Sequence, residues 1–269
     1  MHTPMPNQLR TRRAALKSSL AMAALLGATT IAPRLAAAQQ GVVTPDGRAY
    51  DAYVDAATKA GQFHHYTCEF DAAWVVLATF GYDVGFDAQL AIVGHDTSIE
   101  PWYEETANGF VIYGGDIARA FSGDYYENFL ARTTGQAMLP LFGYYGLAAT
   151  PVRTRAEIEQ TLLRGGLVWM KATADFLAWK PATWIAPGGE TFPTVLGNDH
   201  AVVVMGYNAY GPVIRDVLGP TSSNWNRVYE YDVDWETFLG VFNAQGADGI
   251  GVLPHGVAKH GHGIQSSAA

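Results

Sequence analysis

The clearest hydrophobic periodicity in the chain runs from Phe70 through Ala73 and Trp74 to Leu77, and it predicts a helix from Glu69 onward. Gly81 stops it, because glycine takes the left-handed conformation without a Cβ clash. Shorter helices are predicted at Tyr50 to Lys59 and at Ala88 to Val93. Residues 95–115, rich in Gly, Pro and charge, read as a long surface loop. Asp116 is placed to cap a helix through Phe121, with another short helix at residues 125–132. Thr154 with Glu157 three residues on is a capping-box signature, followed by an apolar stripe of Ile158, Leu162 and Leu163 and a stop at Gly165-Gly166. Leu167 to Lys171 reads as a strand and residues 181–198 as a Pro- and Gly-rich loop. His200 then opens the unbroken apolar run Ala201 to Tyr207, a buried strand. A turn at Asn208 to Pro212 returns Val213 to Val217 as its antiparallel partner. Tyr229 to Val233 is a further strand, Asp234 caps a helix from Trp235 to Phe242, and Gly249 to Leu253 closes as a strand. Helices first and a mainly antiparallel sheet after them define an α+β class.

Composition narrows the function. A 269-residue chain that is 49% hydrophobic and 16% charged is globular and buries a substantial core. A formal net charge of −8, with no basic patch, argues against a nucleic-acid partner. The body of the chain has no apolar run long enough to span a membrane. Residues 1–38 look like an export signal. Thr11-Arg12-Arg13-Ala14-Ala15-Leu16-Lys17 resembles the twin-arginine motif, a mildly apolar segment runs from Leu20 to Ile31, and Leu35-Ala36-Ala37-Ala38 offers a cleavage point before Gln39. The expected organisation is therefore a signal over 1–38 and one domain over 39–254, with 95–150 as a lid or insertion. A disordered tail over 255–269 would hold His255, His260 and His262. The implied partner is the twin-arginine export machinery and the destination the periplasm or the medium.

The only cysteine, Cys68, stands at the head of the first strong helix, where free N–H groups and the helix dipole favour thiolate. A lone cysteine beside an apolar helix also serves as small core filler, and a single one excludes an intrachain disulfide. His200, at the start of the strongest strand, can act as base. Asp216, on the returning strand, is brought beside it by the 208–212 turn. Each of these two also reads as a polar strand-end residue. His64 and His65 are nearer in sequence, but the chemistry requires spatial adjacency. No cofactor motif is present.

Four segments together carry a resemblance: Cys68-Glu69 followed by Ala72 and Val75 to Gly81-Tyr82, then Gly165-Gly166-Leu167-Val168-Trp169-Met170, then His200-Ala201-Val202-Val203-Val204 with Gly206-Tyr207-Asn208, then Asp216 after a short strand. This pattern resembles the bacteriocin-processing (double-glycine leader) cysteine peptidases of the papain-like clan, most closely their stand-alone secreted relatives. It covers roughly residues 60–253. The resemblance implies a papain-like fold with the cysteine helix packed on the sheet. It also implies Cys68 as nucleophile, His200 as general base and acid, Asp216 as the group holding the imidazole, and Gln62 as oxyanion donor. The chain departs from the pattern at Phe70 and Asp71, where small residues are usual, and at Val217, where many relatives have proline. The implied activity is hydrolysis of a peptide or amide bond without cofactor or metal. The alternatives are an idle binding module of the same fold, and acyl transfer or amide hydrolysis on the same residues.

Overall fold

The computed structural model describes residues 39–177, 179–219, 226 and 228–254. The export signal read at 1–38 and the histidine tail at 255–269 lie outside them. The chain enters as a hairpin of β1 (Gln39–Val43) and β2 (Ala49–Tyr53), not as the helix predicted at Tyr50 to Lys59. Tyr50 and Ala52 are buried while Asp51 is exposed, a period of two that fits the edge of a sheet. Next come α1 (Cys68–Thr79), α2 (Phe86–Val93), β3 (His95–Asp96), β4 (Trp102–Thr106), β5 (Gly109–Tyr113) and β6 (Phe121–Ser122). After these follow α3 (Gly135–Tyr144), β7 (Ala148–Val152), α4 (Arg155–Leu163), β8 (Leu167–Thr173), β9 (Lys180–Ile185), β10 (Thr191–Leu196) and β11 (Asp199–Tyr207). The last elements are β12 (Pro212–Arg215), β13 (Glu230–Asp232), α5 (Trp235–Ala244) and β14 (Gly249–Leu253).

The main sheet has the order β1-β2-β11-β8-β14-β7, with β12 and β13 joined at β11, and every pairing in it is antiparallel. Helices α1 and α3 pack on one face of it, and α4 and α5 on the other. Burial on both faces explains why β8 and β11 are continuous apolar runs. Leu167, Trp169, Ala201 and Val203 join the α1 side, and Val168, Met170, Val202 and Val204 join the α4–α5 side. The same burial makes α1 apolar nearly all round, with Phe70, Ala73 and Leu77 in the core and Trp74, Ala78 and Thr79 partly exposed. The Thr154–Glu157 capping box, the Asp234 cap and the turn at Gly81 are all formed.

Two predicted loops are instead strands. Residues 95–115 hold the β4–β5 hairpin and residues 181–198 most of the β9–β10 hairpin; β5 pairs in parallel with β9 to make a second sheet of four strands. This sheet covers a satellite core of Ile112, Ile117, Leu130 and Trp184. β4 exposes most of its residues, so it carries no alternation for sequence to show. The helices predicted at Asp116 to Phe121 and at 125–132 are single turns. The N–H groups of Arg119 and Ala120 both reach the Asp116 carbonyl before Phe121 pairs into β6, and Asn128 closes on Asp124. Helix α3 was not predicted, because Gly135, Pro140 and Gly143 interrupt its pattern; burial of Met138, Leu141 and Phe142 holds it.

Gly211, in the β11–β12 turn, faces the carbonyl of Val233 so closely that an added Cβ would sit 1.8 Å from its oxygen. Backbone cannot yield there as a flexible side chain would, so Gly211→Ala is expected to destabilise the protein by about 2–3 kcal/mol. A lowered urea midpoint at unchanged slope is the expected reading. A midpoint equal to the parent's would show that the turn opens freely. Among the described residues, no helix is long and apolar enough to cross a membrane.

Candidate active site

The loop before α1 is tied to the helix by one carboxylate. Asp71, in the first turn, accepts from the Phe63 N–H at 2.8 Å and from the Thr67 hydroxyl at 2.8 Å, and pairs with Lys59 at 3.0 Å. Thr67 Oγ1 in turn accepts from the His64 N–H at 3.0 Å. Burial pushes the Asp71 carboxyl up to about 6, against the pull of Lys59 and Thr67. The departure at Asp71 therefore has a structural use: it holds the segment that carries Gln62.

Thr67 is the N-cap residue of α1 and Cys68 its first helical residue. Cys68 is 6% exposed, and its thiol donates to Glu69 Oε2 at 3.3 Å. Burial first, then the Glu69 carboxylate, push the thiol well above its ordinary value, while Lys171 pulls the other way. Desolvation of the buried sulfur and the carboxylate beside it thus act against the thiolate that a helix N-terminus favours.

His200 is the second residue of β11, and its Nε2 lies 2.8 Å from Asp216 Oδ1. The register pairs Val203 with Arg215, so Asp216, the next residue, falls opposite Val202 and diagonal to His200. Asp216 also accepts from the Tyr231 hydroxyl at 2.6 Å and the Leu218 N–H at 2.9 Å. With Nε2 given to Asp216, Nδ1 is the ring nitrogen left for chemistry.

Gln62, Cys68 and His200 line one cavity of about 220 Å³, together with Tyr66, Phe129, Ala174, Asn198 and Asp199. His65 stands at its rim with Nδ1 2.8 Å from the Tyr126 carbonyl, whereas His64 packs on Phe86, Tyr125 and Tyr126 and does not line it. Of the aromatic residues near Cys68 in sequence or along β8, Tyr66 reaches this cavity, and Trp169 lies in the core, donating to the Glu69 carbonyl at 2.9 Å.

Sequence reading missed the charges behind Cys68. Lys171 bridges Glu69 at 2.5 Å and Asp199 at 2.7 Å. Gln245 donates to Asp199 at 2.6 Å, and Arg132 stands 3.9 Å from it. A lysine within the apolar run Leu167 to Thr173 was the available signal, since lysine is rarely fully buried without a partner. A larger cavity of about 380 Å³, lined by Gln136, Arg153, Phe192 and Asp248, contains neither Cys68 nor His200. Among the described residues, no three His, Cys, Asp or Glu side chains converge as a metal site.

No protein-family model and no curated protein matches the sequence. The fold does have a solved counterpart, and it defines the class: an α+β architecture of the papain-like type. The counterpart is the crystal structure of a "putative C39-like peptidase" from Bacillus anthracis. It aligns over 72% of this chain and 93% of its own, with a TM-score of 0.54 and 17% sequence identity. At that identity the likeness speaks for the fold alone.

Proposed function

We propose that the protein is an exported cysteine peptidase that cleaves a peptide or amide bond through a covalent acyl-enzyme. The observation that carries this reading is that Cys68 and His200 line one cavity, with His200 bonded to Asp216 at 2.8 Å. Cys68 passes its proton to His200 Nδ1 and its sulfur attacks the substrate carbonyl. The oxyanion takes the Gln62 side-chain amide and the Cys68 N–H, a first-turn donor that no helical carbonyl can use. His200 then protonates the leaving amine, leaving a thioester on Cys68. Water, deprotonated by His200, attacks the thioester and restores the thiol. Asp216 holds the ring and stabilises its charged form throughout. Export rests on the twin-arginine-like run Thr11 to Lys17.

Digestion of a defined peptide pool, followed by mass spectrometry of new termini, tests the reading. In that assay Gln62→Ala is expected to lower kcat about 10- to 10³-fold with little change in KM, the cost of one oxyanion donor. An unchanged kcat would remove Gln62 from the role. The second reading, an idle binding module, is favoured by one observation, the buried thiol that donates to Glu69. An idle site would yield no new termini from any peptide.

A further inference from the structure

Cys68 is faced by charge from several elements. Glu69 on its own helix lies 3.3 Å from Sγ, Lys171 reaches in from β8, Asp199 and His200 come from β11, Arg132 stands behind Asp199, and His65 is at the cavity rim. Glu69 is fully buried, and the Lys171 and Asp199 side chains are 4% and 5% exposed. A buried carboxylate beside a nucleophilic sulfur opposes the very charge the chemistry must create. The two oxygens of Glu69 are divided: Oε1 takes Lys171 at 2.5 Å and the Thr133 N–H at 3.3 Å, and Oε2 alone meets the thiol.

We propose that Lys171 is a positioning residue for the nucleophile: by pairing with Glu69 Oε1 it neutralises that carboxylate while leaving Oε2 to orient the Sγ–H. The lysine thereby makes a carboxylate tolerable next to Cys68 and permits the thiolate to form. Asp199, held in turn by Gln245 and Arg132, fixes the lysine from the opposite side. The proposal rests on Cys68 as the reactive thiol of the site proposed above, but its test does not use a peptide substrate.

Iodoacetamide alkylation of the full chain, followed across pH, reads the thiolate directly: the sulfur displaces iodide, and the rate follows the fraction ionised. Glu69→Gln is expected to move the inflection to lower pH by about one unit, and Lys171→Met to higher pH by at least about one unit, a tenfold loss of thiolate at fixed pH. The double variant Glu69→Gln/Lys171→Met is expected to return to the parent value or below it. A lysine that acted only as packing would give no such reversal. An inflection that stays or rises in Glu69→Gln, or a double variant no different from Lys171→Met, overturns the proposal. If Lys171→Met does not fold, with two buried carboxylates undercompensated, the double variant is compared with Glu69→Gln instead: a higher inflection in the double is expected, and an equal one overturns the proposal. If alkylation behaves as stated while no peptide is cleaved, the peptidase reading fails and this inference stands.

Discussion

Cys68→Ala is expected to remove hydrolysis of the peptide pool altogether, with kcat/KM falling by about four orders of magnitude or more. No other residue can take over, since Cys68 is the only cysteine of the chain and the hydroxyl of Thr67 is engaged by His64 and Asp71. The fold should survive. Only the sulfur is lost, along with its bond to Glu69 Oε2, and Lys171 remains on Oε1, so the cost is about 1–3 kcal/mol. A modestly lowered urea midpoint, together with the absence of new peptide termini, is the expected pair of results. New termini at the parent's rate would overturn the mechanism outright, whatever the stability.

The second large effect belongs to His200→Ala, which is expected to lower kcat/KM about 10³- to 10⁴-fold while leaving Cys68 open to iodoacetamide. In the proposed mechanism, removing the imidazole takes away the acceptor of the thiol proton and the donor to the leaving amine. It leaves Asp216 with the Tyr231 hydroxyl and the Leu218 N–H, so the buried carboxylate keeps two donors and the fold should lose only about 1–3 kcal/mol. The pH dependence has a definite sign. Burial and Glu69 raise the thiol in the free protein, so alkylation should climb as pH rises past the ordinary thiol range. Parent-like hydrolysis by His200→Ala would assign the base to another group, and His65 at the cavity rim would be the first to test.

Much of the fold was legible because periodicity and caps are local. The stripe from Phe70 to Leu77, the Thr154–Glu157 box, the Asp234 cap and the apolar runs of β8 and β11 all report structure within a few residues. The strands of the second sheet were not legible. β5 finds its partner β9 far along the chain, and β4 is exposed, so neither has a pattern set by its own neighbours. Helix α3 was hidden for the converse reason: its glycines and Pro140 oppose a helix locally, and packing overrides them.

The sequence by itself determined the residue types and the frame of the candidate site: one cysteine at a helix start, one histidine at the head of a buried strand, and one aspartate at the end of the strand that returns beside it. Hairpin topology carries that last relation, but its register is set by the turn together with a bulge between Val204 and Gly206, which shifts the pairing by one residue and brings Asp216 opposite Val202, diagonal to His200. Tertiary structure alone decided the electrostatics. Whether a thiol at a helix N-terminus is lowered or raised depends on how much water reaches it and which charges the other strands bring. Glu69, Lys171 and Asp199 come together only when α1 packs on β8 and β11. Dipole and capping are properties of a short stretch of backbone, whereas desolvation and ion pairing belong to the packed interior, and in that interior they prevail.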